Sequence, residues 1–154
     1  MTTFSIDWHA LIDAKLDDFI ATGTMVLDDV FHATDLTALQ AESGFIDYKE
    51  AHLTHGERET AIRGDSIRWI DESCPVGSAY LGAIDELGRY FNATLYTGIR
   101  SSEAHYARYP SGFGYKWHSD NPKGRDERVI SAVFYLNDNW TADNGGAITV
   151  VDKT

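Results

Sequence analysis

The sequence predicts an α+β domain, helices first and consecutive strands after, and three observations predict it. Apolar residues recur at three- and four-residue steps near the N-terminus and again between positions 75 and 91. After Asn92 the texture changes to short β-branched or aromatic runs separated by Gly, Pro, Asn and Asp clusters. The length of 154 residues fits one hydrophobic core, and 43% hydrophobic residues with seven Phe, eight Tyr and four Trp can fill it.

The first helix carries Trp8, Leu11, Ile12, Leu16, Phe19 and Ile20 on its dry side and Asp13, Lys15, Asp17 and Asp18 on its wet side. Gly23 suits its C-terminal cap. Residues 24–27, Thr-Met-Val-Leu, read as a strand. Thr34 or Asp35 can cap a second helix with Leu36, Ala38 and Leu39, ended by Ser43-Gly44. Residues 48–63 are polar and hold no period, so they read as a long exposed loop or irregular hairpin, and loops of that length often serve as lids. Residues 67–70 form a strand. Pro75 suits the first turn of a third helix burying Tyr80, Leu81, Ile84, Leu87 and Phe91. Strands are then expected at 94–97, 104–109, 115–118, 129–136 and 147–151, a pattern that points to a sandwich or barrel.

Charge and cysteine usage narrow the functional classes. A formal net charge of −11 repels phosphate backbones and anionic lipid, so nucleic-acid and membrane partners are not expected. No apolar run is long enough to span a bilayer. The single cysteine, Cys74, allows no intrachain disulfide, and the N-terminus lacks a secretory signal pattern. A cytoplasmic location is expected.

The chemistry concentrates at His118-Ser119-Asp120. Positions i and i+2 of a strand share a face, so an imidazole and a carboxylate point the same way. Together they supply two-thirds of the two-His, one-carboxylate triad that holds non-haem Fe(II). A plain His–Asp hydrogen bond at a strand end is the alternative reading of the tripeptide.

The surroundings add weight. Residues 109–122, Tyr-Pro-Ser-Gly-Phe-Gly-Tyr-Lys-Trp-His-Ser-Asp-Asn-Pro, resemble the tyrosine-to-iron-ligand segment of the 2-oxoglutarate and Fe(II)-dependent prolyl 4-hydroxylases. Residues 128–137 are similar to the family's next core strand, and Trp140 with Gly145-Gly146-Ala147-Ile148 to the stretch after it. Residues 62–70, Ile-Arg-Gly-Asp-Ser-Ile-Arg-Trp-Ile, resemble an element of the EGL-nine branch and its bacterial relatives. The resemblance runs through nearly the whole chain, with the motifs in order.

What the resemblance implies is specific. The fold would be a double-stranded β-helix, or jelly roll, packed on N-terminal helices. Residues 1–154 would be a single dioxygenase domain, with 1–93 as helical support, 48–63 as lid and 94–154 as the first part of the jelly roll. His118 and Asp120 would be catalytic residues and the first two iron ligands. Tyr109 and Tyr135 match tyrosines facing the 2-oxoglutarate pocket, where a phenol can bond a carboxylate; ordinary core aromatics are the alternative. His105, four residues before Tyr109, should face the same pocket as a wall. Arg63, Asp65 and Arg128 match charged positions near the substrate entrance, with a solvated salt bridge as the alternative. Cys74, His9, His32, His52 and His55 have no motif behind them and are expected to be structural or surface residues.

The implied activity is hydroxylation of a prolyl residue in a protein or peptide, using Fe(II), 2-oxoglutarate and dioxygen, with ascorbate as reductant. A hydroxylase of another side chain or small molecule, and a non-catalytic binding module of the same fold, are the alternatives. The family's second iron-binding His and its 2-oxoglutarate-pairing Arg lie beyond the Gly-Gly segment, where this chain has neither. The jelly roll is therefore expected to be incomplete at its C-terminal end, and the 154-residue chain to be inactive alone.

Overall fold

The computed structural model describes residues 3–50, 63–121 and 127–151, and it is a mixed helix-and-strand structure. The first helical segment is split. Helix α1 (Trp8–Ile12) opens with the Asp7 carboxylate accepting from the backbone N–H of Ala10 at 3.1 Å. A 3₁₀ turn at Asp13–Lys15 then re-aims the chain into α2 (Leu16–Thr22). Gly23 ends it in the left-handed region, φ 84°, its N–H on the Phe19 carbonyl at 2.7 Å, as the sequence predicts.

Residues 24–27 are not a strand in the structure. Met25 and Leu27 pack inward while Val26 is 74% exposed, but no ladder partner among the described residues pairs with them. The sequence signal was a short apolar run; pairing needs a second chain segment that such a run cannot supply. Helix α3 (Ala33–Phe45) begins after His32 rather than Thr34 or Asp35 and runs one residue past Gly44, burying Leu39.

Helix α4 (Pro75–Leu95) is the spine of the structure. Its buried residues include Ala83, Leu87, Tyr90 and Phe91, which meet Phe4, Trp8, Ile12, Leu39 and Tyr106 in one core. The Trp8 indole donates to the Ala83 carbonyl at 3.1 Å, locking α1 onto α4. The strand expected at 94–97 is instead the end of this helix. Thr94 bonds back to the Tyr90 carbonyl at 2.8 Å, and Tyr96 closes the helix with φ 54°. The Asn92 side chain then organises the exit, bonding Ile99 N–H at 2.7 Å, Ile99 C=O at 2.8 Å and the Thr97 hydroxyl at 2.7 Å.

How α4 starts is the more consequential detail. Pro75 has no N–H, and Cys74 makes no side-chain cap. The missing acceptor comes from α3. The Glu42 carboxylate takes the N–H of Val76 at 2.8 Å and of Gly77 at 2.7 Å, and also accepts from the Tyr106 hydroxyl at 2.8 Å. A negative charge at a helix N-terminus is favoured by the helix dipole.

The sheet among the described residues has three antiparallel strands in the order β1 (Lys49–Glu50), β2 (Ser66–Trp69) and β3 (His105–Arg108). Register is Lys49 opposite Ile67, and Trp69 opposite His105. The expected strand at 115–118 is reduced to one bridge between Tyr115 and Arg63. Residues 129–136 and 147–151 pair with no strand among the described residues. The first of these keeps its period: Ile130, Phe134 and Leu136 pack on the core, while Val129, Val133 and Tyr135 are more than half exposed. Phe134 sits between Phe31, 5.0 Å away, and Tyr80, 5.4 Å away. Most of the expected lid, residues 51–62, lies outside the described residues.

Two outcomes follow. Glu42→Ala leaves two helix N–H groups and a phenol without their charged acceptor, and should cost about 3 kcal/mol, read as a lower urea midpoint. Burial pushes the Tyr80 phenol up, and burial plus the Glu42 carboxylate pushes the Tyr106 phenol up. The folded state therefore holds these protons more tightly than the unfolded chain. The stabilisation from these two phenols should be fully present below pH ~10 and be lost as pH rises above it, checked by chemical unfolding across the alkaline range.

Candidate functional site

The site is assembled where β2 and β3 meet the segment leading to His118. Gly64 makes this approach possible. Its N–H donates to the Gly114 carbonyl at 2.9 Å, and a Cβ built on it would lie 2.5 Å from the Phe113 ring. Only a residue without a side chain lets the two segments touch there.

Beside it, Asp65 is fully buried and paired to Arg63, with Nε–Oδ1 at 2.8 Å and Nη2–Oδ2 at 3.2 Å. Two parallel bonds to a buried carboxylate make this a rigid pair rather than the solvated bridge left open from sequence. Tyr109, one residue beyond β3, hydrogen-bonds the Asp65 side chain. Burial and the Asp65 charge push its phenol up to about 12. His105 shares the strand face with Tyr109 and meets Trp69 edge to face at 4.9 Å. Burial pushes its imidazole below the ordinary histidine range.

Arg63 also lies over the Tyr115 ring, 4.7 Å from its centroid, and Tyr115 stacks on His118 at 3.6 Å with 16° between planes. His118 faces an acceptor on each ring nitrogen: Nδ1 is 2.7 Å from the Lys116 carbonyl and Nε2 is 3.1 Å from Asp120 Oδ1. The 3.1 Å separation is that of a His–Asp hydrogen bond, and it also brings an imidazole nitrogen and a carboxylate, both metal-ligand types, to one place. An Nδ1–H donated to that backbone carbonyl would leave the lone pair on Nε2.

The structure thus links five of the seven site residues expected from sequence: Arg63, Asp65, Tyr109, His118 and Asp120. Arg128 reaches the edge of the group, donating to the Asp120 carbonyl at 3.3 Å and to Glu103 at 3.2 Å. Tyr135 instead donates to the Gly146 carbonyl at 3.0 Å. Among the described residues, no third His, Cys, Asp or Glu joins His118 and Asp120. A hollow of about 330 Å³ against Trp8, His9, Glu86 and Arg89 contains none of these residues. Cys74 is fully buried, and His9 lies on the surface, paired with Asp13 at 3.2 Å. Sequence reasoning assigned no role to Tyr115 or Phe113. Their partners lie some fifty residues upstream, and the only local trace was their place between Tyr109 and His118.

Comparison with known proteins gives this arrangement its class. A family model described as the 2OG-Fe(II) oxygenase superfamily matches residues 104–154. A crystal structure of a Pseudomonas putida prolyl-4-hydroxylase superposes with a TM-score of 0.76 at 34% identity, covering 86% of this chain and 70% of that one. Among curated proteins, Prolyl hydroxylase EGLN3 of Homo sapiens is 37% identical over 146 residues, 91% of this chain and 59% of that protein. Egl nine homolog 1 of Homo sapiens is 33% identical over 143 residues, 86% of this chain and 31% of that protein. The chain belongs to the prolyl hydroxylase family of 2OG-Fe(II) oxygenases. It spans about three-fifths of the length of the EGLN3 proteins it matches.

The buried pair is open to test. Asp65→Asn should destabilise the fold by about 3 kcal/mol, because it strands a half-buried guanidinium. It should also lower the Tyr109 pKa from about 12, since a raising charge is removed. Ultraviolet titration of the phenols against a Tyr109→Phe control reads that shift.

Proposed function

We propose that this chain is a 2-oxoglutarate- and Fe(II)-dependent dioxygenase that hydroxylates a prolyl residue in a protein or peptide. The observation that carries the reading is the His118–Asp120 donor pair at 3.1 Å, within the segment matched by the oxygenase family model. Likeness to prolyl hydroxylases over most of the chain supports prolyl over other substrates.

His118 Nε2 and the Asp120 carboxylate would hold Fe(II), which with 2-oxoglutarate and dioxygen supplies the oxidising power the protein's own groups lack. The remaining residues bind and orient. Tyr109, protonated at neutral pH, offers a phenol O–H to a carboxylate of 2-oxoglutarate, and Tyr135 is assigned the same role. Arg63 and Arg128 would present charge near the substrate entrance, with the buried Asp65 holding Arg63 in place. The neutral His105 walls the pocket beside Tyr109. Residues 48–63 serve as the lid, and closing it excludes water from the reacting centre.

Residues 94–154 contribute the first part of a jelly roll. The inward–outward alternation along 129–136 supports this, since one strand face of such a fold packs on helices and the other lines the interior. Ascorbate would serve as reductant, and the buried, unpaired Cys74 agrees with a cytoplasmic setting.

The test is hydroxylation of proline-containing peptides with Fe(II) and 2-oxoglutarate, using the chain in its natural reading frame. Hydroxyproline is read by mass spectrometry and succinate by chromatography. Both products should form, and His118→Ala or Asp120→Ala should remove them. Turnover that survives both substitutions would sink the assignment. A saturating peptide should also slow amide exchange across 48–63; unchanged exchange there counts against the lid.

A further inference from the structure

His118 is held at its edges by two polar contacts, the Lys116 carbonyl on Nδ1 and Asp120 on Nε2. Neither restrains the ring against tipping out of its plane. The face contact does: the Tyr115 ring is 3.6 Å away, nearly parallel at 16°. Tyr115 is itself fixed. Its backbone bridges Arg63, the Arg63 guanidinium lies 4.7 Å over its ring, and Arg63 is clamped by the fully buried Asp65. A cation above an aromatic face is attracted to the ring, and a planar imidazole packs against it without losing its in-plane bonds.

We propose that Tyr115 is a positioning residue: stacked on the His118 imidazole and tied through Arg63 to the Asp65 carboxylate, it sets the ring plane in which Nε2 meets a metal beside Asp120. The inference rests on the reading of His118 as a metal ligand. It adds a physical link between the buried ion pair beside the substrate entrance and the metal ligand. A disturbance of Arg63 reaches His118 through one ring.

The test uses Co(II) alone as probe, with three variants: Tyr115→Leu, Tyr115→Phe and His118→Ala. In the metal-free parent, the carbon-bound imidazole protons of His118, assigned by their loss in His118→Ala, should be shifted upfield by the neighbouring ring. Tyr115→Leu should abolish that shift and weaken Co(II) binding at least about tenfold, the scale of losing a group that orients a metal ligand. Tyr115→Phe should restore both, since it keeps the ring. His118 signals at random-coil positions in the parent overturn the proposal without reference to any variant. Tyr115→Leu binding Co(II) as tightly as the parent overturns it too, and leaves the dioxygenase reading standing. A parent whose Co(II) affinity is unchanged by His118→Ala removes the ligand assignment, and this inference falls with it.

Discussion

One carboxylate holds the parts of this structure together. Glu42, on α3, closes the N-terminus of α4 and receives the hydroxyl of Tyr106 on β3. Helix, helix and strand therefore meet at a single charged group that no local capping residue could replace, because Cys74 and Pro75 occupy the positions where a cap would sit. The dipole of a 21-residue helix favours that charge, and the two backbone bonds fix its geometry. Gly77 belongs to the same arrangement: a Cβ there would come within 3.1 Å of the Glu42 carboxylate and 3.0 Å of Ile70.

The site hangs from this frame in sequence. β3 is placed by Tyr106, β2 by its pairing with β3, and Arg63 and Asp65 by their position just ahead of β2. The segment carrying His118 then docks through the Gly64–Gly114 contact and the bridge at Tyr115. Each step uses a charge-assisted hydrogen bond, backbone pairing or a bidentate ion pair, contacts with strict geometry. Looser apolar packing is kept for the helical side, where Phe4, Phe31, Tyr80 and Phe134 meet edge to face or tilted.

Local chemistry was legible in the sequence wherever one short segment contained both halves of an interaction. Gly23 as a cap, Pro75 at a helix start and the strand around Ile67 are of this kind. Errors arose where a short apolar or β-branched run was read as a paired strand. Residues 24–27 and 129–136 are such runs, and their packing on the core records burial of one face without a ladder partner among the described residues. At 94–97, the β-branched Thr94 and Thr97 hid a helix end organised by Asn92, a residue whose side chain reaches seven positions forward. The roles of Glu42, Tyr115 and Phe113 needed partners from 34, 52 and 49 residues away, which no window of sequence reports.

The pairing of β2 with β3 has a consequence for how faithfully the site is reproduced. The two strands are joined through residues 70–104, which contain all of α4, so no tight turn dictates which residue faces which. Parity takes over that role. Tyr106 buries its ring and reaches Glu42 only when it points inward, and this sends His105, Ala107 and Tyr109 to the opposite face. A slip of one residue would expose Tyr106 and bury its neighbours, exchanging interior and site in one move. The chain thus checks the orientation of its chemistry by the same burial that makes it fold.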